Sequence, residues 1–534
     1  MIAKQPLPLI TEEFPHILDD PKSLSPSIDP FTVTTTTGFL PTHRPRVTLP
    51  DVFKPLTTLV EDMPIVRRDG TPGLLATYQL GDHIDNKGVL PDLTLMIDGL
   101  ITDEGQRDLS AVTAAFRDYS FLASAYLLEP CWKHYNDNPD DGYGLGRDEL
   151  PACIAGPMVK CADILDIPPF LAYAASYALY NYTISDENAS SSPINPTYES
   201  LSLIRAFERG LDPKSSEAGF VLTHIDMVGH TPGLISGTVS LLDHLTTHFN
   251  NHGPAAATIA PDPTPLVNSL KQIDSSLTAI ESSMSRMWKN SLPSHYLHFR
   301  TFIFGITSQT MFPHGVRYHL PSCLTTPTPE NPTPLRNLDA SEFASHVNFR
   351  GESGANDSII PLLDSLLQIP FPSNPLTKIL HAFRAYRPLP HRTFLSHIRT
   401  ISAELCVPNV LAYTSFETRY LLMKILDHVR SFRYRHWTFA REYIIRRSKY
   451  SVATGGSPIV RWLPNQLEAV MAEMISIWEK SGDNVNEDGD EQGQSLNEKE
   501  IKMRLELKEM MDEVYEQREM LKREVKKWCM EREG

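Results

Sequence analysis

Cysteine is scarce and scattered: six residues among 534, at 131, 153, 161, 323, 406 and 529, with no Cys-x-x-Cys pair. That pattern excludes a cysteine-rich zinc site, a covalently attached c-type haem and the disulfide framework of a secreted domain. Positive charge is also in short supply. With 49 Lys and Arg against 65 Asp and Glu, the formal net charge is -16, which repels a phosphate backbone and excludes nucleic acid as an expected partner. No apolar run approaches the roughly 20 residues of a membrane span, and the opening Met1-Ile2-Ala3-Lys4-Gln5-Pro6 carries no apolar leader core. A cytoplasmic, reducing setting without membrane attachment is expected. Glycine is absent between Gly354 and Gly455, which favours long helices across that stretch.

What is present is the composition of an ordinary globular chain, 41% hydrophobic and 21% charged. Its length predicts two domains with additions. Residues 1–200 read as an extended, Pro/Ser/Thr-rich arm followed by a small helical domain. Residues 201–480 read as a large helical domain, and 481–534 as an acidic disordered linker plus a charged helix. Helical patterning begins near Gln106, and the nearly all-apolar run from Tyr119 predicts a buried helix. Glycines 142, 144 and 146 lie in a polar stretch without GxGxxG spacing, so a loop is expected there. Pro168-Pro169 suits a helix start, and 183–200 reads as an inter-domain linker. Leu266, Leu270, Ile273, Leu277, Ile280, Met284 and Met287 alternate by three and four, the mark of an amphipathic helix. Thr414 and Glu417 have capping-box spacing. At the end, Leu507, Val514, Leu521 and Trp528 recur every seven residues, while Gln517 and Glu524 interrupt the second seam. That leaves open a marginal coiled coil, self- or partner association through the 500–530 helix, or a lone helix that could be removed without consequence.

The chain is organised around Phe349–Arg399. A polar, glycine-containing loop, Arg350-Gly-Glu-Ser-Gly-Ala-Asn-Asp-Ser358, is followed by an apolar helical run from Ile359. The turn Arg387-Pro388-Leu389-Pro390 then delivers His391, whose backbone the prolines restrict. A rigidly presented imidazole near a polar loop suits ligand binding, although any one of the 19 histidines is by itself a weak candidate.

Three separated segments, the loop RGESGANDS, the helix after it and RAYRPLPHRTFL, together resemble the haem-binding half of the indoleamine 2,3-dioxygenase family. The resemblance implies a mainly α, two-domain helical haem protein that inserts O2 across the indole 2,3 double bond of L-tryptophan. The product would be N-formylkynurenine, in the first step of tryptophan catabolism toward NAD synthesis. It implies haem b as cofactor, His391 as the iron ligand, and Gly351, Ser353 and Arg387 as further haem contacts. It also implies an unidentified electron donor that keeps the iron ferrous. The segment Pro168-Pro169-Phe-Leu-Ala-Tyr173-Ala-Ala-Ser176 is similar to the family's distal helix, which makes Tyr173 and Ser176 pocket-wall residues. By the same resemblance Phe220 packs over the haem and His224 is the distal catalytic residue. Arg300 holds the substrate carboxylate, with Ser353, Gly354, Thr454 and Gly455 around the substrate and Thr454-Gly455-Gly456 acting as a closing loop. The family's aromatic substrate contact, five residues before the arginine, falls on His295, with Tyr296 next to it. That departure, Glu352 and the added tail leave a second reading open: a non-catalytic or altered-substrate haem or O2-binding protein of the same fold.

Overall fold

Residues Leu109–Asp137 (α1) are buried on almost every side over 111–129, as a helix surrounded by other elements must be. Asp108 starts it, accepting from the Ala111 amide at 2.9 Å. A computed structural model describes residues 6–185, 197–209, 214–328, 334–370, 375–448, 450, 452–456, 459–481 and 497–533. The fold is mainly helical, and α2 (Ala152–Leu165) packs along α1. α3 (Ser216–Val228) opens on Ser215, whose Oγ accepts from the Ala218 amide at 3.1 Å. α4 (Thr231–His252) pairs with α5 (Pro263–Ser285). On α5 the alternation read from sequence is the buried face, from Leu266 to Met284.

After α5 come a short helix Tyr296–Arg300, α6 (Ile359–Leu366), α7 (Leu389–Glu404) and α8 (Val407–Thr414). α9 (Phe416–Phe439), α10 (Ile459–Ser481) and α11 (Glu498–Glu533) complete the chain, and α9 packs on α5, α8 and α10. Strands are few. Glu149–Leu150 (β1) runs parallel to Val316–Tyr318, which is antiparallel to His346–Val347. Buried apolar side chains from Ile10 to Leu521 form one contiguous cluster.

Four local expectations are corrected. The diproline at 168–169 does not launch a long helix. Only one π-helical turn, Tyr173–Tyr177, forms, because the Asn181 amide bonds the Tyr177 and Arg205 carbonyls and redirects the chain. The stretch read as a linker is stapled at its ends, with Tyr182–Ile184 antiparallel to Leu201–Leu203; residues 186–196 lie outside the described residues. Thr414 ends α8, and Ser415, extended at φ -155°, caps α9 instead, with Thr418 as its reciprocal partner. The charged C-terminal helix does not stand alone. Leu507, Met511, Val514 and Leu521 are buried as α11 packs on α9 and α10. Gln517 and Glu524, which break the heptad, make this docking specific. Gln517 accepts from Arg430 at 2.6 Å, and Glu524 accepts from the Trp437 indole at 3.0 Å and Arg441 at 2.9 Å. The acidic stretch 482–494, expected to be disordered, lies outside the described residues.

Candidate functional site

One cavity of about 520 Å³ gathers side chains from widely separated parts of the chain. α3 contributes Phe220, His224 and Met227, and the end of α5 contributes Met284. Tyr296, the 352–357 loop and Thr454 close one part of the wall. Arg384, Arg387, Arg392, Leu395 and Arg399 come from the approach to α7 and from α7 itself. α9 and the turn after it add Arg433, His436, Phe439 and Tyr443. The lining is thus aromatic and apolar with a concentration of arginines, the character of a site for a flat, partly anionic ligand.

Phe220, His224 and Tyr296 belong together. The Phe220 ring meets His224 edge-on at 4.8 Å and lies 5.6 Å from Tyr296. His224 is reached from the cavity and shielded from bulk solvent. Burial, with a smaller contribution from His436, pushes its imidazole down to about 4, so it is neutral at pH 7. His436 is likewise pushed down to about 4 by burial.

The 452–456 segment closes the cavity and is pinned at several points. Thr454 Oγ1 donates to the Glu352 carbonyl at 2.6 Å, and the Gly305 amide donates to the Thr454 carbonyl at 3.0 Å. Arg350 reaches the Gly455 carbonyl at 3.0 Å and Gln309 the Ala453 carbonyl at 2.9 Å. Gly351 and Gly305 let three backbones cross here. A Cβ on Gly351 would lie 2.3 Å from the Gly305 nitrogen and 2.6 Å from the Thr454 oxygen. Arg300 is fully buried and takes part in the same closure, donating to the Val452 carbonyl at 2.7 Å and the Tyr450 carbonyl at 3.4 Å. Its Nε is buried without a partner.

His391 is 1% exposed, in the first turn of α7. Its Nδ1 lies 3.1 Å from Ser358 Oγ, and its Nε2 is buried with no partner. Burial, aided by Arg387, holds the ring neutral, down to about 3. With Nδ1–H donated to Ser358, Nε2 presents a free lone pair, the form in which imidazole binds a metal. Phe39 and Phe31, at 4.9 and 5.7 Å between ring centres, fix the imidazole from the N-terminal arm. The arm therefore packs on His391 itself and is not confined to a distal wall. Among the described residues no three His, Cys, Asp or Glu side chains gather to hold a bare metal ion. A haem iron needs one such side chain, because its ring supplies the other nitrogens.

Of the residues singled out from sequence, His224, Phe220, Tyr296, Ser353, Gly354, Thr454 and Arg387 line the cavity. His391 lies one helical turn before the lining residue Leu395 and next to another, Arg392. Tyr173 stands one layer back, its hydroxyl 3.4 Å from Asp357 and its ring edge-on to His224 at 6.0 Å. Ser176 is buried with its Oγ on the Ala172 amide at 3.4 Å. His295 is outside the lining, 3.1 Å from Ser216 Oγ, so Tyr296 takes the aromatic position. Gly351 and Gly455 shape the loops from behind. Sequence reasoning missed Arg399, Arg433, His436 and Tyr443; the last three recur at helical spacing along α9 and its extension, a signal that was available.

The model of the indoleamine 2,3-dioxygenase family matches residues 27–500. The chain is 25% identical to indoleamine 2,3-dioxygenase of Saccharomyces cerevisiae over 57% of its length and 60% of that relative's. It is 24% identical to indoleamine 2,3-dioxygenase nanC of Aspergillus nanangensis over 70% of its length and 76% of the relative's. Indoleamine 2,3-dioxygenase 1 of Mus musculus is 25% identical, over 67% of this chain and 70% of its own. The mainly helical fold accords with that match. The chain belongs to the indoleamine 2,3-dioxygenase family. The match stops within the first turn of α11, so the docked C-terminal helix is almost wholly an addition to the family's frame.

Proposed function

We propose that this protein is a haem-dependent dioxygenase that inserts both atoms of O2 across the indole 2,3 double bond of L-tryptophan, giving N-formylkynurenine. The observation that carries the reading is the buried, unpartnered Nε2 of His391 beside an arginine-rich cavity that also presents Phe220, His224 and Tyr296. The residues fit haem b. His391 would ligate the iron, and Arg384, Arg387, Arg399 and Arg433 supply positive charge for the propionates. When bound, the haem supplies O2 binding and its activation. The chain does the rest by orientation. Phe220 and Tyr296 offer aromatic surfaces for the indole. His224, neutral at pH 7, can accept a hydrogen bond from the indole N–H and is not an obligate base. Arg300, one layer behind the lining, would reach the substrate carboxylate only through its Nε edge, which its carbonyl contacts leave free. The pinned 452–456 segment keeps water from the site. An electron donor, unidentified, would keep the iron ferrous.

The test is turnover. Reduced, haem-loaded protein given tryptophan and air should accumulate N-formylkynurenine absorbance. A haem protein that binds O2 and leaves tryptophan unchanged would support the second reading, a non-catalytic or altered-substrate relative. What favours that reading is that Arg300 does not line the cavity, whereas an acid, Glu352, does.

A further inference from the structure

The cavity wall carries three carboxyl groups, and two have partners. Asp364 meets Arg433 at 2.6 Å, and Asp357 accepts from the Ile359 amide at 2.6 Å and the Tyr173 hydroxyl at 3.4 Å. Glu352 is 2% exposed, and among the described residues no hydrogen bond or ion pair reaches its carboxyl group. Its position is not accidental slack. The Glu352 carbonyl is held by Thr454 Oγ1, and Gly351 before it is wedged against Gly305, so the backbone on this side cannot turn the side chain elsewhere. Desolvation is the one cause acting on its carboxyl, pushing it up to about 8, and none of the cavity's arginines offsets it. A buried carboxylate without a partner is costly, and a ligand cation is what removes that cost.

Resting on the indole reading above, we infer that Glu352 is the counter-charge for the protonated amine of the ligand. It would make this cavity selective for indoles that bear an ammonium over indoles that bear only a carboxylate. The arrangement fits Arg300, which keeps two of its nitrogens on main-chain carbonyls and stands outside the lining. The ammonium end of the ligand therefore meets the cavity acid directly.

Docking of an ammonium ionises Glu352, and its proton leaves to solvent. The groups around it do not confuse the count near pH 7. Tyr173 and Tyr177 on the π turn and Tyr296 are all raised further above their ordinary range, and His224 on α3 is already neutral. Asp357, raised to about 6, keeps its own partners. Glu217, the other carboxyl near 8, is outside the lining, tied to Tyr177 and to the Phe207 and Glu208 amides.

The experiment is calorimetric titration of the haem-loaded full chain with tryptamine, L-tryptophan and indole-3-propionate, in two buffers of different ionisation heat at pH 7. Tryptamine and tryptophan should bind with release approaching roughly one proton, and indole-3-propionate more weakly with none. Glu352→Gln should weaken both amines by about tenfold or more, abolish the release and leave indole-3-propionate within about twofold. Amines that bind the unaltered protein without proton release, and Glu352→Gln equally well, would overturn the assignment while leaving the indole reading intact. Failure of all three indoles to bind would overturn the indole reading itself.

Discussion

Two regions bury charge in opposite ways. Between α1 and the 201–205 strand segment, Asp118 is wholly buried and fully met: Arg117 donates at 2.9 Å, and Arg205 at 3.0 and 2.8 Å. Burial pushes its carboxyl up, but the two arginines more than offset this and hold it below the usual carboxylate range. Around the cavity the opposite holds. Among the described residues the buried Glu352 carboxyl meets no hydrogen bond or ion pair, and both polar side-chain atoms of Asn356 and His391 Nε2 are buried without partners. Satisfied buried polar groups hold a structure together. Unsatisfied ones are expensive to keep, and where they gather beside a cavity they mark a candidate binding site.

The largest effect should come from the satisfied region. Asp118→Ala leaves buried Arg117 without a counter-charge and Arg205 with only the exposed Glu61 at 3.8 Å, and denaturant unfolding should show a loss on the order of 3–5 kcal/mol. Glu352→Gln should do the reverse as pH rises. A folded carboxyl at about 8, against an ordinary 4.5, contributes stability that is complete below about 4.5 and lost as pH rises through 8. Melting temperature should therefore fall less for Glu352→Gln than for the unaltered protein between pH 5 and 8.5. Equal slopes would erase the contrast.

Truncation after Ser481 tests whether α11 belongs to the structural side. Removing Leu507, Met511, Val514 and Leu521 from their contacts should cost about 3 kcal/mol or more, seen as a lower melting temperature. An unchanged melt would restore the detachable tail expected from sequence. Arg300→Ala tests the boundary between the two regions, since this arginine both pins the Tyr450 and Val452 carbonyls and keeps a free Nε. Tryptophan turnover should fall by about a hundredfold with haem content near normal, and lost haem would make it purely structural.

Much of this was legible. The alternation on α5, the buried α1 and the proline-fenced His391 follow from local pattern, and local pattern is what a sequence displays. The unread parts depend on partners far away in the chain. Nothing near Arg300 announces carbonyls 150 residues on, and nothing in the arm announces that Phe31 and Phe39 flank His391. Glu352 stands out in the sequence as a departure, but only the Gly305–Gly351 crossing shows it turned inward. Gln517 and Glu524 look like flaws in a heptad only while the partner helix is taken to be a second α11.

The smallest effect checks a purely local correction. Ser415→Ala should cost about 1 kcal/mol of stability through the lost cap, and Thr414→Ala less. The reverse order would return the cap to Thr414.

The most direct test is the absorbance spectrum of haem-reconstituted His391→Ala beside that of His397→Ala, a second α7 histidine whose Nε2 is also buried without a partner. If the His391 Nε2 is the iron ligand, His391→Ala loses the haem band, added imidazole restores it, and His397→Ala keeps it. A His391→Ala protein that takes up haem with an unchanged spectrum would contradict the account.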